Sequence, residues 1–166
     1  MIFKLRIGHT RIVFNIAKVI DILGVNSKLP NGKHILMWDF DDKPLKDVKL
    51  ALTITQMQFN LPNIYILRSS SPDNYIAYCF DSCSWQMARA IIGSTEYIDE
   101  NFYKWGIFRR SFTLRVGKKM GTFPKIAHIL HSTVEETASI EELRSWVIYE
   151  TLQKHENQFF MSKEIF

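Results

Sequence analysis

Residues 34–42 form the run His-Ile-Leu-Met-Trp-Asp-Phe-Asp-Asp, in which an apolar stretch ends in closely spaced aspartates. The apolar part predicts a strand over His34–Phe40, and strand side chains point to the same face at every second position. Asp39 and Asp41 would then lie side by side, where two carboxylates repel each other unless a cation neutralises them. A hard divalent ion such as Mg²⁺ suits these oxygen ligands. The alternative is that Asp41 or Asp42 caps the following helix, since aspartate is a favoured N-cap residue.

The length and composition of the chain predict one soluble domain. Its 166 residues are enough to bury a core without cross-links, and a hydrophobic share of 46% is ordinary for a globular protein. Two cysteines are too few for a disulfide framework and fit a reducing cytosol. We see no apolar stretch of the ~20 residues that a membrane span needs, and no signal-peptide pattern. We therefore expect a cytoplasmic protein with no membrane partner.

The pattern along the chain predicts the elements of this single domain, residues 1–166. Residues 1–33 are expected to hold an amphipathic helix, Arg11–Leu23, and then a loop. Residues 131–166 are expected to hold a helix that opens at the capping box Ser139–Glu142 and runs to about Lys154, followed by a tail. Between these segments we predict strands at 34–40, 64–68, 75–80, 111–116 and 125–130, and helices at 44–59 and 81–92.

The order of the core elements, over residues 34–130, is strand, helix, strand, strand, helix, strand. Residues 69–74 have the composition of a tight turn, so the strands on either side of it are expected to form a hairpin. This order predicts an α+β fold of the ferredoxin or RNA-recognition-motif (RRM) type. Such a fold is a two-layer sandwich with an antiparallel-rich sheet and helices packed on one face.

A serine turn and a basic tract are both suited to anions. Ser69, Ser70 and Ser71 place hydroxyl groups and backbone amides in one bend, which can hold phosphate oxygens, although most such turns are only turns. From Lys104 to Lys125 the chain has seven basic residues and no acidic one. With a net charge of +4, this tract favours a polyanionic partner. The alternative is a solvated basic hairpin tip.

Four short motifs, in this order, resemble the archaeo-eukaryotic primase superfamily, which includes the primase-polymerases. The first is the apolar run that ends in Asp39-Phe-Asp41, and the second is the serine turn on a hairpin. The third is an apolar residue followed by an acidic one, Ile98-Asp99, where Tyr97 and Ile98 are expected to be extended. The fourth is an arginine in a strand followed by glycine and lysine, Leu114–Lys118. The resemblance covers about residues 34–120.

The resemblance implies template-dependent nucleotidyl transfer with two divalent metal ions, Mg²⁺ or Mn²⁺. It implies three groups of residues: the catalytic metal ligands Asp39, Asp41 and Asp99; the nucleotide-binding residues Ser69, Ser71, Arg115 and Lys118; and the nucleic-acid-binding residues Arg109, Arg110 and Lys119. Asp42 is then the helix cap. The implied partners are a single-stranded nucleic acid template and nucleoside triphosphates, with a helicase or another replication protein as a further partner.

One position departs from the superfamily pattern. Ile76 stands where the second motif is expected to have a histidine that helps to bind the nucleotide's phosphates. This departure keeps open a second class of function, a non-catalytic module of the same fold that binds nucleic acid or a protein.

Two other patterns are weaker. Four residues, Cys79, Cys83, His128 and His131, could suggest zinc, although a strand would put the two histidines on opposite faces. Aromatic side chains of the hairpin could stack on bases, but such residues more often belong to the core. Three tryptophans are assigned to packing: Trp85, Trp105 and Trp146.

Overall fold

The structure, a computed structural model, describes residues 2–15, 19–69, 71–119, 121–143 and 146–152. The chain divides into two compact units. The first comprises Met1–Ile22 and Tyr149–Phe166, and the second comprises Leu23–Ile148. All the elements that carry candidate site residues belong to the second unit.

The described residues form a mixed α+β protein with antiparallel sheets and three helices. The strands are β1 (Ile2–Ile7), β2 (Thr10–Asn15), β3 (Val19–Asn26), β4 (His34–Phe40), β5 (Ile64–Arg68), β6 (Tyr75–Cys83), β7 (Thr113–Arg115), β8 (Lys125–Leu130) and β9 (Trp146–Leu152). The helices are α1 (Leu45–Phe59), α2 (Trp85–Ser94) and α3 (Glu100–Arg109), and Ile140–Glu142 forms one 3-10 turn. None of these helices is long and apolar enough to cross a membrane.

The helix predicted over Arg11–Leu23 is wrong, because residues 11–15 belong to β2 and residues 19–23 belong to β3, while residues 16–18 lie outside the described residues. β1 and β2 pair as an antiparallel hairpin whose two-residue loop begins at Gly8, where φ is +59°. A glycine with positive φ at that position suits a tight hairpin turn. The segment is also rich in β-branched residues, which favour strands. The helical spacing of its apolar residues gives no information about the partner strand.

The helix predicted from Ser139 to about Lys154 is also wrong. Its start signal is real, since the Glu142 carboxylate accepts a hydrogen bond from the Ser139 backbone N–H at 2.8 Å. The helical geometry ends after one 3-10 turn, and the next described element is the strand β9. The Trp-Val-Ile-Tyr run at its start favours a strand. The predicted tail beyond residue 152 lies outside the described residues.

The principal sheet of the second unit has the strand order β4-β6-β5-β8, with all neighbours antiparallel. Since β6 is antiparallel to both β4 and β5, these two strands run parallel, with α1 as the connection between them. This arrangement is a split βαβ unit. A second sheet has the order β7-β3-β9, in which β3 pairs with β7 through Gly24–Asn26.

Helices α1 and α2 cover one face of the principal sheet. The Trp38 indole N–H donates to the Thr95 hydroxyl at 2.9 Å, and the Thr55 hydroxyl of α1 donates to the same oxygen at 3.1 Å. On the opposite face, Tyr78 stands across from Met37 and its hydroxyl donates to the Arg115 carbonyl of β7 at 3.3 Å. The end of β4 is therefore held between helices on one side and β7 on the other.

Two element boundaries in this region differ from the sequence prediction. β6 continues to Cys83, so α2 begins at Trp85 rather than near Asp81, with the Ser84 hydroxyl accepting from the Met87 N–H at 3.2 Å. Tyr97 is not extended, because its φ is +63°. This left-handed residue turns the chain just before α3.

Candidate functional site

Asp39 lies near the carboxyl end of β4, on the face of the sheet away from α1 and α2. Its neighbours Trp38 and Phe40 are fully buried, and Trp38 points to the helices. Alternation along the strand therefore directs Asp39 to the other face, where Ile76 of β6 is its cross-strand partner. The predicted strand His34–Phe40 is confirmed, and it places this carboxylate in a half-buried position.

The electrostatics of Asp39 show which charged groups surround it. Burial, together with the neighbouring carboxylates of Asp41 and Asp99, raises its pKa to about 7, against the opposing effect of the Lys119 ammonium. The charges of Asp41, Asp99 and Lys119 therefore all act on Asp39, although the three aspartates do not form a group arranged to hold a metal ion among the described residues. We call these four residues the carboxylate site.

Asp99 is fixed to the carboxylate site through its backbone and to α3 through its side chain. Its N–H donates to the Asp39 carbonyl at 2.8 Å. Its carboxylate is the N-cap of α3 and accepts from the Phe102 N–H at 2.6 Å. The N-terminus of a helix stabilises a negative charge, so this capping bond holds the carboxylate in one place.

The expectation that Asp42 caps the following helix is wrong. Pro44 is the N-cap of α1, and none of the described side chains makes a capping hydrogen bond there. Asp42 has a φ of +55°, and its N–H donates to the Asn74 side-chain oxygen at 3.1 Å. The Lys43 N–H likewise donates to the Asp73 carbonyl at 2.9 Å. These bonds tie the turn after β4 to the turn between β5 and β6.

The serine turn does close the β5–β6 hairpin, as predicted. The Ser69 N–H donates to the Asn74 carbonyl at 2.8 Å, and the Ser71 carbonyl accepts from the Asn74 N–H at 3.4 Å. The Ser69 hydroxyl accepts from the Arg115 guanidinium at 2.9 Å. Ser70 lies outside the described residues. The structure therefore joins two of the predicted nucleotide-binding residues, Ser69 and Arg115, to each other.

Arg115 is a buried cross-link, only 5% exposed. Besides Ser69, its guanidinium donates to the carbonyl oxygens of Gly117 at 3.2 Å and Thr122 at 3.0 Å. These acceptors lie on two separate turns, so one side chain holds the hairpin turn against the loop that follows β7. Hydrogen bonds of a charged donor to buried acceptors are among the stronger ones in proteins.

The two lysines after β7 have different positions. Lys118 is exposed, and its ammonium lies 5.2 Å from the centre of the Phe123 ring. Lys119 is half-buried, and it is the cation whose charge is felt by Asp39. Its backbone exchanges hydrogen bonds with Thr122 in a tight turn that includes Gly121, with φ of +81°. Sequence adjacency alone does not reveal which of the two lysines turns towards the carboxylates.

Arg109 and Arg110 lie at the other end of α3 from Asp99. A ten-residue helix is about 15 Å long, so this separation places both arginines well away from the helix N-terminus. Arg109 lies over the Trp105 ring, with 5.3 Å from the guanidinium carbon to the ring centre. Trp105 is 56% exposed, so its assignment to packing is wrong.

The structure also bears on the two weaker patterns. Tyr75 and Tyr78 are buried at 2% and 7% exposure, which places these hairpin aromatics in the core rather than on a surface for bases. Cys79 is fully buried, and the Cys83 thiol contacts the His34 carbonyl at 3.6 Å. Within the part of the chain that the structure describes, no group of three or more His, Cys, Asp or Glu side chains has the arrangement of a metal site.

Lys43 and Tyr97 flank the carboxylate site and were not singled out from the sequence. The Lys43 ammonium lies 5.6 Å from the centre of the Tyr97 ring. Lys43 follows the aspartate run directly, and Tyr97 is the left-handed residue that precedes Asp99. A residue other than glycine in this backbone region is uncommon and worth noting near a candidate site.

Comparisons of this chain with protein-family models, with curated proteins and with solved structures give no match.

Proposed function

We propose that the protein is a template-dependent nucleotidyltransferase of the primase-polymerase type, with the carboxylate site as its catalytic centre. The observation that carries the proposal is the position of Asp39, which is half-buried at the end of β4 and whose carbonyl accepts from the N–H of Asp99, the N-cap of α3. The carboxylates of Asp41 and Asp99 act on the Asp39 charge, and burial disfavours that charge further. A hard divalent cation is the partner that such a set of oxygen ligands favours.

The arrangement of elements supports this proposal. A split βαβ unit (β4, α1 and β5, with β6 between the two strands) is followed along the chain by α2 and β8, with α3 and β7 inserted between them, and β8 pairs with β5 in the same sheet. Apart from this insertion, the element order is that of an RRM or ferredoxin-like sandwich, which we propose as the fold type. The three aspartates come from the end of β4 and from the N-cap of α3, so two separate segments converge on one place.

Asp39, Asp41 and Asp99 would hold Mg²⁺ or Mn²⁺, and their chemistry fits these ions because each offers carboxylate oxygens. When bound, the metal ions would activate the attacking hydroxyl and neutralise charge on the departing pyrophosphate. Asp39 has to lose its proton to act as a ligand, and the Lys119 charge favours that loss. The α3 N-terminus keeps the Asp99 carboxylate oriented. The hairpin turn, held by Arg115, and the exposed Lys118 would receive the triphosphate.

A non-catalytic module that binds nucleic acid is the second candidate function. One specific observation favours it: Ile76, an apolar residue, is the cross-strand partner of Asp39. A catalytic relative is expected to have a phosphate-binding histidine at this position. In such a module the basic residues would bind a strand and the carboxylate site would only shape the surface. We also propose that the protein acts in the cytoplasm, together with a replication partner such as a helicase.

Incorporation of labelled nucleotide on a single-stranded template, with Mn²⁺ or Mg²⁺, tests the proposal. We expect Asp39→Asn to lower incorporation by at least about 100-fold, since it removes one metal-binding charge while keeping the size of the side chain. Asp47→Asn, in the first turn of α1, is the matched control and should retain activity. Equal incorporation by Asp39→Asn and the wild type would overturn the assignment of the site. No incorporation by the wild type, together with no metal-dependent rise in its melting temperature, would favour the non-catalytic module.

A further inference from the structure

The outer face of α3 exposes two large aromatic side chains and a guanidinium group. Trp105 is 56% exposed and Phe108 is 78% exposed. Their ring centres lie 5.9 Å apart in an edge-to-face arrangement, with Arg109 over the Trp105 ring. Arg110 follows as the C-cap residue. We call Trp105, Phe108, Arg109 and Arg110 the α3 surface.

The packing of α3 does not need these aromatic residues. Its inner face uses Phe102 and Tyr103, whose rings lie 5.2 Å and 6.1 Å from the ring centre of the buried Phe112. Gly106 lies against the same ring so closely that an added Cβ would overlap Phe112. Positions 105 and 108 therefore point away from this contact, one helical turn apart. Isolated exposed apolar residues are common, but a neighbouring aromatic pair beside arginines is a more specific feature.

The charge of the α3 surface indicates the chemistry of its ligand. Arg109 and Arg110 belong to the tract from Lys104 to Lys125, which contains no acidic residue. Glu100, the acidic residue on the helix, is paired with Lys104 at 2.7 Å, one turn nearer the N-terminus. Flat aromatic faces beside guanidinium groups complement a ligand that alternates planar rings with negative charges. Single-stranded nucleic acid has this alternation, whereas an acidic peptide lacks the regular rings.

We propose that the α3 surface binds single-stranded nucleic acid, with bases stacked on Trp105 and Phe108 and phosphates on Arg109 and Arg110. Every base has a stackable face, so this surface would bind with little sequence preference. The choice of ligand rests on the proposed function, in which the same helix presents Asp99 at its other end. The strand held here would be the template, about one helix length from the carboxylate site.

Binding of a fluorescently labelled oligo(dT) strand, measured by anisotropy in EDTA, tests this proposal without catalysis. We expect Trp105→Ala and Phe108→Ala each to weaken binding by about 5- to 100-fold, because stacking on one aromatic side chain contributes that much per base. Trp105→Phe should retain most of the affinity. The matched control is Met57→Ala, which removes an equally exposed apolar side chain on α1.

The arginines give a second, independent readout. Replacing Arg109 and Arg110 by glutamine should reduce the slope of log affinity against log salt by about 0.7 for each lost phosphate contact. A duplex of the same sequence should bind more weakly, because its bases are not available for stacking. Equal affinities for Met57→Ala, Trp105→Ala and Phe108→Ala would overturn the proposal, as would binding of an acidic peptide in preference to the oligonucleotide.

The result can be separated from the test of catalysis. Asp47→Asn, the control of the catalytic test, should bind oligo(dT) with wild-type affinity, since it lies on α1 and outside the α3 surface. If the wild type incorporates nucleotide and Trp105→Ala binds normally, this inference fails and the proposed function stands. If oligo(dT) binding depends on Trp105 but no protein incorporates nucleotide, the inference stands and catalysis fails.

Discussion

The two ends of α3 carry opposite charges in opposite environments. At the N-terminus, Asp99 caps the helix inside the carboxylate site, next to the half-buried Asp39. At the C-terminus, Arg109 and Arg110 are exposed beside two exposed aromatic side chains. Both placements suit the helix dipole, which favours a negative charge at its first turn and positive charges at its last. One short helix thus links a half-buried acidic residue at its N-terminus with exposed basic residues at its C-terminus.

The two regions differ in how far each depends on contacts between distant parts of the chain. The carboxylate site draws on the end of β4, the N-cap of α3 and the loop after β7, so its charges depend on long-range packing. The α3 surface comes from neighbouring residues of one helix and depends only on which side of that helix is buried. Substitutions should therefore disturb the folding of the first region far more than that of the second.

The largest expected effect is on the framework beside the carboxylate site. Arg115→Ala removes a buried guanidinium that donates to three acceptors on two turns, and leaves the buried Gly117 carbonyl without this donor. We expect the free energy of unfolding in urea to fall by on the order of 3 kcal/mol. Ser69→Ala removes only one of the three bonds and should cost about 1 kcal/mol. Equal losses for the two variants would contradict the role of Arg115 as a cross-link.

The next effect is a pH dependence that belongs to Asp39. Its pKa is about 7 in the folded protein, against about 3.9 for an unfolded aspartate. Between these values the folded state binds a proton that the unfolded state has lost, so this contribution to stability is present below pH 4 and is lost as the pH rises through 7. In EDTA, we expect stability to fall by on the order of 3 kcal/mol from this group between pH 4 and 8.

Asp39→Asn isolates that contribution, because asparagine does not titrate. The free energy of unfolding of the wild type minus that of the variant should fall as the pH rises. His34, whose pKa is lowered by burial and by Lys28, acts in the opposite direction, but it does so in both proteins. Asp41, Asp99 and Lys119 also remain in both. Adding Mn²⁺ at pH 8 should stabilise the wild type more than the variant. A pH profile shared by the two proteins would show that Asp39 does not have a raised pKa in the folded protein.

A smaller effect separates the two roles of Asp99. Asparagine is as good an N-cap as aspartate, so Asp99→Asn should leave stability in urea nearly unchanged, whereas Asp99→Ala should lose about 1 kcal/mol. Asp99→Asn also removes one of the charges that raise the pKa of Asp39, so the fall in stability between pH 4 and 8 should be smaller. A loss of stability in the asparagine variant equal to that of the alanine variant would mean that the charge, rather than the cap, holds the helix.

The sequence predicted those parts of the fold in which local pattern and tertiary environment agree. Strands 34–40, 64–68 and 125–130 have the predicted bounds because each is an apolar run between clear turn residues. The helix predicted over residues 11–23 was wrong because Ile12, Ile16 and Val19 fit a helical spacing. These β-branched residues favour a strand once a partner strand is present. The partner strand of β2 is residues 2–7, which precede the predicted helix and pair with β2 through a tight turn. A search for helical spacing within residues 11–23 does not include them.

The candidate site was predictable to a similar extent. Strand alternation predicted that Asp39 and Asp41 share a face, but β4 ends at Phe40 and Asp41 lies in the bend after it. The charges of Asp41 and of Asp99, which the motif order added, both act on Asp39. The position of Lys119 could not be predicted, because it depends on the turn around Gly121 and on the cross-link by Arg115. The prediction that Trp105 is packed was wrong for a related reason. The buried side of α3 is the side that contacts Phe112, which follows the helix in the chain.

The smallest expected effect is the change in stability when residues of the α3 surface are replaced. Trp105→Ala and Phe108→Ala remove exposed side chains that the contact with Phe112 does not use, so each should change the free energy of unfolding by no more than about 0.5 kcal/mol. Gly106→Ala, on the inner side of the same helix, should lose about 1–3 kcal/mol because its methyl group would overlap the Phe112 ring. Urea unfolding of the three variants measures the contrast. A large loss for Trp105→Ala would show that this ring supports the fold, and would contradict its placement outside the packing of α3.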